Sequence, residues 1–221
     1  ITIDEIKRTF DGYWTDNVHS NLRLAVFTKN IKRRAELMDY YSIGLNALAK
    51  YSSDHGPYFN HNVLAVEQRI DFMIGCYSFG GIIDRIDIDK DNNKKFNIID
   101  YKTGKKRVTE KKFLMDLQMG IYYLGLKSIH PDFEEINLMH YYLVSGEEIK
   151  KKISKNNEKE YLEYENKITS KVVSNIETLN DAIQSNNFNA KESTLCNWCY
   201  YWKECSAKQK KKESNPAIKF D

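Results

Sequence analysis

"NIIDYKTGKK", residues 97–106, is the stretch on which the fold turns. Ile98 and Ile99 run into Asp100, and after Tyr101 the chain reaches Lys102 at the lip of a Thr103–Gly104 turn. Side chains two apart on a strand share a face, with roughly 6.5–7 Å of rise between them. Asp100 and Lys102 therefore point together, and Tyr101 points away. A strand that ended on core would end apolar, whereas this one ends on two opposite charges beside a loop. Taken alone, the pair reads first as an ordinary ion pair, with Lys102 neutralising Asp100 at the sheet edge.

Its neighbours add to it. One strand earlier, "GGIIDRIDI" (80–88) carries Asp84 and Asp87, and "DKDNNKK" (89–95) reads as the hairpin turn between the two strands. An acid from the first strand can then stand beside Asp100. Two close carboxylates repel unless a cation lies between them, and hard oxygen ligands suit Mg²⁺ or Mn²⁺. A lysine beside such a pair would face the anion that the metal also attracts. Arg85 and Asp87 read as a structural pair, and Glu67 in "LAVEQRI" reads as a strand-edge acid that could alternatively approach the metal.

Outward from this hairpin the chain alternates in texture. Residues 1–52 read as helical, with Met38, Tyr41, Leu45 and Leu48 on one apolar face, and "SSDHGP" (52–57) as the break. Residues 63–88 read as β, with Gly80–Gly81 as a bend or bulge and Cys76 as a core thiol in mid-strand. "TGKKRVTE" (103–110) is a loop into a helix whose buried stripe is Leu114, Leu117, Ile121 and Leu124. "INLMHYYLV" (136–144) is a strand, "SGE" a turn and "EIKKKI" (148–153) a short edge strand. Residues 158–185 form a long helix with the stripe Tyr161, Tyr164, Ile168, Val172, Ile176, Leu179 and Ile183. Helices, a three-strand meander, helix, strand and helix make an α/β domain with a mixed sheet flanked by helices, not a doubly wound series. The expected organisation is an N-terminal helical part (1–60), a core with its long helix (61–190), and a cysteine cluster with a basic tail (191–221).

Composition bounds the rest. The 221 residues have a net charge of +3 and a mean hydropathy of -0.64, and fifteen tyrosines help to fill a core. No apolar run approaches the ~20 residues of a membrane span, and no secretory signal is visible, so the reading is a cytoplasmic protein. Lys102, Lys105, Lys106, Arg107, Lys111 and Lys112 cluster beside the acidic site, and "KQKKK" lies near the C-terminus. Three of the four cysteines, Cys196, Cys199 and Cys205, fall within ten residues, a better ligand cluster than a disulfide framework. There is no G-x-x-x-x-G-K-(S/T) phosphate loop. The start without methionine, in what reads as mid-helix, suggests further residues upstream.

In order, these pieces resemble the PD-(D/E)XK nucleases, specifically their RecB-like branch, from about Glu67 to Cys205. "GIIDRID" resembles the branch's G-x-(I/V)-D-R-(I/V)-D strand, "IIDYKTG" its D-Y-K-T-G motif, and "QMGIY" its Q-x-x-x-Y helix. "CNWCYYWKEC" resembles the C-terminal cysteines of members that bind an iron–sulfur cluster. The resemblance implies a restriction-endonuclease-like core. It implies a Mg²⁺- or Mn²⁺-dependent deoxyribonuclease, an exonuclease of DNA repair or recombination, as the nuclease domain of, or partner to, a helicase. Asp84, Asp100 and the Tyr101 backbone carbonyl would hold the metal, Lys102 would be the catalytic lysine, and Gln118 and Tyr122 would join the site. Lys105, Lys106, Arg107, Lys111 and Lys112 would follow a DNA backbone, single-stranded or at an end. Cys196, Cys199 and Cys205 would supply three ligands of a [4Fe–4S] cluster, the fourth cysteine lying outside this chain. The branch's helical metal-binding histidine is not evident, and neither His19, His55 nor His61 is assigned to it. Two other readings remain: a catalytically inactive DNA-binding module of the same fold, and a metal hydrolase of another phosphate substrate.

Overall fold

The computed structural model describes residues 2–18, 37–104, 106–193, 195, 196, 199, 201 and 204–207. They divide into two compact units, one of residues 1–6 and 46–177 and one of residues 7–45 and 178–221.

The first unit is built on a five-stranded sheet in the order β1-β2-β3-β4-β5. Its strands are β1 (Val63–Ile74), β2 (Tyr77–Ile88), β3 (Lys95–Lys102), β4 (Glu135–Tyr142) and β5 (Glu147–Ser154). β1, β2 and β3 form an antiparallel meander, β3 and β4 are parallel, and β5 returns antiparallel as an edge. A parallel pair needs a crossover. Here α3 (Glu110–Phe113) and α4 (Leu117–Ile129) supply it. With α5 (Glu158–Gln184) also flanking the sheet, the fold is α/β with a mixed central sheet, as the element order implies.

The core follows from alternation. Ile70, Phe72 and Ile74 of β1 are buried and their neighbours exposed. They meet Tyr122, Tyr123 and Leu126 of α4 in one cluster, which continues through Ile98, Leu138 and the α5 residues Tyr164, Ile168 and Val172. At Gly120 on α4 a Cβ would lie 2.6 Å from Ile168 Cγ2, so the missing side chain lets α5 approach.

Several local expectations are corrected. Gly80 and Gly81 are neither bend nor bulge: they pair in register with Asp71 and Ile70, and the reversal falls at Gly75 (φ 59°) and Cys76. Cys76 is accordingly an exposed turn residue, not a core thiol. The expected 110–124 helix is two helices, because Asp116 caps α4 by accepting from the Met119 N–H at 3.1 Å. Leu114 therefore leaves the stripe and is exposed, as are Leu179 and Ile183 at the end of α5 and Met38 on α2 (Leu37–His55). α2 runs to His55, so the break falls at Gly56–Pro57 rather than at Ser52.

In the second unit, Phe10 and Trp14 of α1 (Ile3–Asn17) pack with Tyr41 at ring separations of 5.4–5.9 Å. Tyr41 donates to Asp11 Oδ1 at 2.6 Å. His19, the tail lysines of "KQKKK" and Lys105 lie outside the described residues.

Candidate active site

The β2–β3 register pairs Arg85 with Ile99, which brings the chain just before it, at Asp84, level with the end of β3. There the Tyr101 N–H donates to Asp84 Oδ2 at 2.8 Å. The backbone between Asp100 and Lys102 thus fixes the carboxylate of the neighbouring strand. Asp100 is 2% exposed, and its Oδ2 lies 2.6 Å from Lys102 Nζ, close enough to pair but out of hydrogen-bond alignment.

Lys102 is held from the helix side as well. Its ammonium donates to Gln118 Oε1 at 2.8 Å, and Gln118 Nε2 contacts Tyr122 Oη at 3.0 Å. The four-residue spacing stacks Gln118 over Tyr122 on α4. Space for the tyrosine comes from β2, where a Cβ on Gly81 would lie 3.3 Å from Tyr122 Cε1. Asp84, Asp100, Lys102, Gln118 and Tyr122 are therefore brought together at one end of the sheet.

Burial pushes the Asp100 carboxyl above the ordinary aspartate range. Lys102 opposes the shift, and the charges of Asp84 and Asp116 add to it. Burial also raises the Tyr122 phenol.

The sequence reading missed His140. The parallel register sets it directly across from Asp100, with Nε2 3.8 Å from Asp100 Oδ2. It is 1% exposed, and neither ring nitrogen has a hydrogen-bond partner among the described residues. Phe113 lies edge-on to it at 4.8 Å. Burial lowers its pKa to about 4, so the imidazole is neutral at neutral pH. The signal was a histidine in mid-run of "INLMHYYLV", but its meaning depends on the β3–β4 register.

Tyr101 faces the other side of the sheet, where Arg85 donates to Tyr51 Oη at 2.8 Å and to Tyr101 Oη at 3.1 Å. Arg85 also forms a two-pronged pair with Asp87 at 2.6 and 2.5 Å, as a structural pair should. Burial opposes the guanidinium charge, yet Asp87 holds its pKa above the ordinary value. These residues line a cavity of ≈ 210 Å³ with His55 and His61, which places both histidines away from the acidic pair.

The basic segment is less uniform. Lys106, Lys111 and Lys112 are exposed. Arg107 is engaged with the Glu148 carbonyl at 3.3 Å and with Glu110 at 3.6 Å. Glu67 is exposed and has a left-handed φ of 48°, between the pairs Val66–Arg85 and Gln68–Ile83 and so opposite Asp84. Among the described residues, no three His, Cys, Asp or Glu side chains gather as a metal-holding group.

A family model of the PD-(D/E)XK nuclease superfamily matches residues 9–206. The chain belongs to that superfamily. No curated protein matches it. A solved structure titled "Crystal structure of SSO0001" is similar at 14% identity and a TM-score of 0.37, over 94% of this chain and 86% of that one. Membership rests on the family model. Members of the superfamily are nucleases and typically use divalent metals such as Mg²⁺.

The residues present fit such an ion. Asp84 and Asp100 offer hard carboxylate oxygens, and Asp100 Oδ2 is buried without a hydrogen bond. Two carboxylates do not make a closed cage, but Mg²⁺ is commonly held by one or two carboxylates and keeps several waters. An iron–sulfur cluster does not fit in the same way. Cys196, Cys199 and Cys205 are one thiolate short of the usual four, and they form no three-ligand group among the described residues. No helix among the described residues is long and apolar enough to cross a membrane.

Proposed function

We propose that this chain is a metal-dependent deoxyribonuclease of the RecB-like branch, acting as an exonuclease on single-stranded DNA or DNA ends. Its setting is cytoplasmic DNA repair or recombination, alongside a fused or separate helicase. The observation that carries the reading is the Lys102 ammonium, held between Asp100 and Gln118 beside an Asp84 carboxylate that the Tyr101 amide anchors.

Asp84, Asp100 and the Tyr101 carbonyl would hold Mg²⁺ or Mn²⁺. The chemistry such an ion supplies when bound is Lewis acidity toward the phosphodiester. Lys102 places a positive charge where the phosphate oxygens gain negative charge as water adds to phosphorus and the leaving oxygen departs. Gln118 limits where that ammonium can go, and Tyr122 limits Gln118. Lys105, Lys106, Lys111 and Lys112, with a smaller share from Arg107, attract the backbone without reading bases. The iron–sulfur assignment of Cys196, Cys199 and Cys205 requires a fourth ligand from elsewhere, and no step depends on it.

The test is Mn²⁺-dependent degradation of end-labelled single-stranded DNA by this chain and by Lys102→Ala. Metal-dependent cleavage that disappears with Lys102 supports the nuclease. DNA binding without cleavage in the unaltered chain would move the reading to an inactive binding module. Indifference to DNA together with activity on a small phosphate ester would favour a different hydrolase.

A further inference from the structure

His140 has no task in the mechanism above, yet it is buried against the site's central carboxylate. Buried polar side chains nearly always have hydrogen-bond partners, and those without one need an explanation. Here the imidazole lacks a partner at both nitrogens among the described residues, and Asp100 Oδ2, 3.8 Å from Nε2, lacks an aligned one as well. Two polar atoms without an aligned hydrogen bond face each other across a gap about 1 Å longer than a hydrogen bond. The rings of Phe113 and Tyr142, at 4.8 and 6.3 Å, hold the imidazole in place beside that gap.

In this structure Lys102 neutralises Asp100, at 2.6 Å. The same ammonium cannot also turn fully toward a phosphate without leaving Asp100 Oδ2 bare in a buried site. We infer that His140 is a positioning residue for Asp100: its Nε2–H donates to Asp100 Oδ2 once Lys102 leaves that oxygen, as a bound cation or a substrate phosphate requires, holding the carboxylate in its metal-facing orientation. The inference rests on the reading of Asp100 as a metal-holding carboxylate. It matches a general arrangement in which hydrogen-bonded outer partners fix ligating carboxylates. The Nε2-protonated tautomer is the one the role requires, since a neutral imidazole carries a single N–H.

The experiment is calorimetric titration of Mn²⁺ into the metal-free chain without DNA, comparing the unaltered protein with Asp100→Asn, His140→Phe and His140→Gln. Each is also melted in chelator. Phenylalanine keeps the ring's bulk and removes two unpartnered polar atoms, so His140→Phe should melt no lower than the unaltered protein. Its Mn²⁺ affinity should nevertheless fall about tenfold or more, the usual cost of an outer partner. His140→Gln, whose amide can still donate, should recover most of that loss. Unchanged Mn²⁺ affinity in His140→Phe, with binding abolished in Asp100→Asn, overturns the role of His140 alone. Equal weakening in the Phe and Gln variants, with both melting early, makes His140 structural and likewise overturns it. Full Mn²⁺ binding by Asp100→Asn, or none by the unaltered chain, overturns the reading of Asp100 itself.

Discussion

The Tyr101 N–H donates to Asp84 Oδ2 at 2.8 Å, so the first acid of the site is oriented by the backbone that follows the second. Either acid can be neutralised without dismantling the other's strand, because the β2–β3 ladder persists behind both. Asp84→Asn retains an acceptor for the Tyr101 amide and loses only the charge. It should melt close to the unaltered protein, while metal-dependent cleavage falls by at least about 100-fold, the upper range for an outer partner and a minimum for a ligand. Melting curves and initial rates measured on one preparation separate the two effects.

In the proposed mechanism Gln118 acts through Lys102, whose ammonium donates to its Oε1 at 2.8 Å. Removing its amide frees the ammonium from one of the two groups that fix it. A hydrogen bond to a charged group such as this ammonium is worth about 1.5 kcal/mol, close to a tenfold change in rate. Gln118→Leu should therefore lower kcat about tenfold with little change in KM if, as proposed, the DNA backbone is gripped by the basic segment instead. Tyr122→Phe removes only the restraint on Gln118 and should cost less. A large rise in KM with kcat intact would place Gln118 on the substrate instead.

Asp100 predicts an inverted pH response. Burial raises its folded pKa above the unfolded value, so the native state binds that proton more tightly. The destabilisation it causes is complete above the folded pKa and is relieved as pH falls toward the ordinary aspartate range. In chelator, the difference in melting temperature between Asp100→Asn and the unaltered protein should be greatest at neutral pH, with the variant higher. It should shrink on acidification, and saturating Mn²⁺ should raise the unaltered protein alone. A variant that melts lower at every pH would mean that the Lys102 ion pair outweighs the burial of the charge.

The sheet and the acidic end of the site were legible because both follow from period-two alternation. Asp100 and Lys102 could be placed from residue spacing, and one hairpin turn brought an acid of β2 beside them; the choice of Asp84 over Asp87 came with the family resemblance. Gln118 and Tyr122 came with the family resemblance, which their four-residue helical spacing supports. What stayed hidden depends on long-range register or on local capping. His140 meets Asp100 through a parallel pairing of strands 40 residues apart, which no local pattern encodes. The break before α4 comes from a single Asp116 cap inside an otherwise continuous apolar stripe. Gly80 and Gly81 resembled a bend, but Gly81 is there to admit a ring from α4, a requirement set by the tertiary structure.

The basic segment divides by how committed its charges already are. Lys106, Lys111 and Lys112 are exposed, whereas Arg107 already contacts Glu148 and Glu110. Binding to single-stranded DNA releases about 0.7 counterions per phosphate neutralised, which appears as the slope of log affinity against log salt. If the three lysines each meet a phosphate, replacing all of them by alanine should flatten that slope by about 2 and weaken binding at low salt. Arg107→Ala should change the slope less than any single lysine and should loosen the loop it ties to β5, seen as faster amide exchange around Val108. Fluorescence anisotropy across a salt series, in Ca²⁺ or chelator to prevent cleavage, gives the slopes directly. Parallel lines for the triple variant and the unaltered chain would remove this segment from the DNA path and shift attention to the charges around Lys150 and Lys152 on β5.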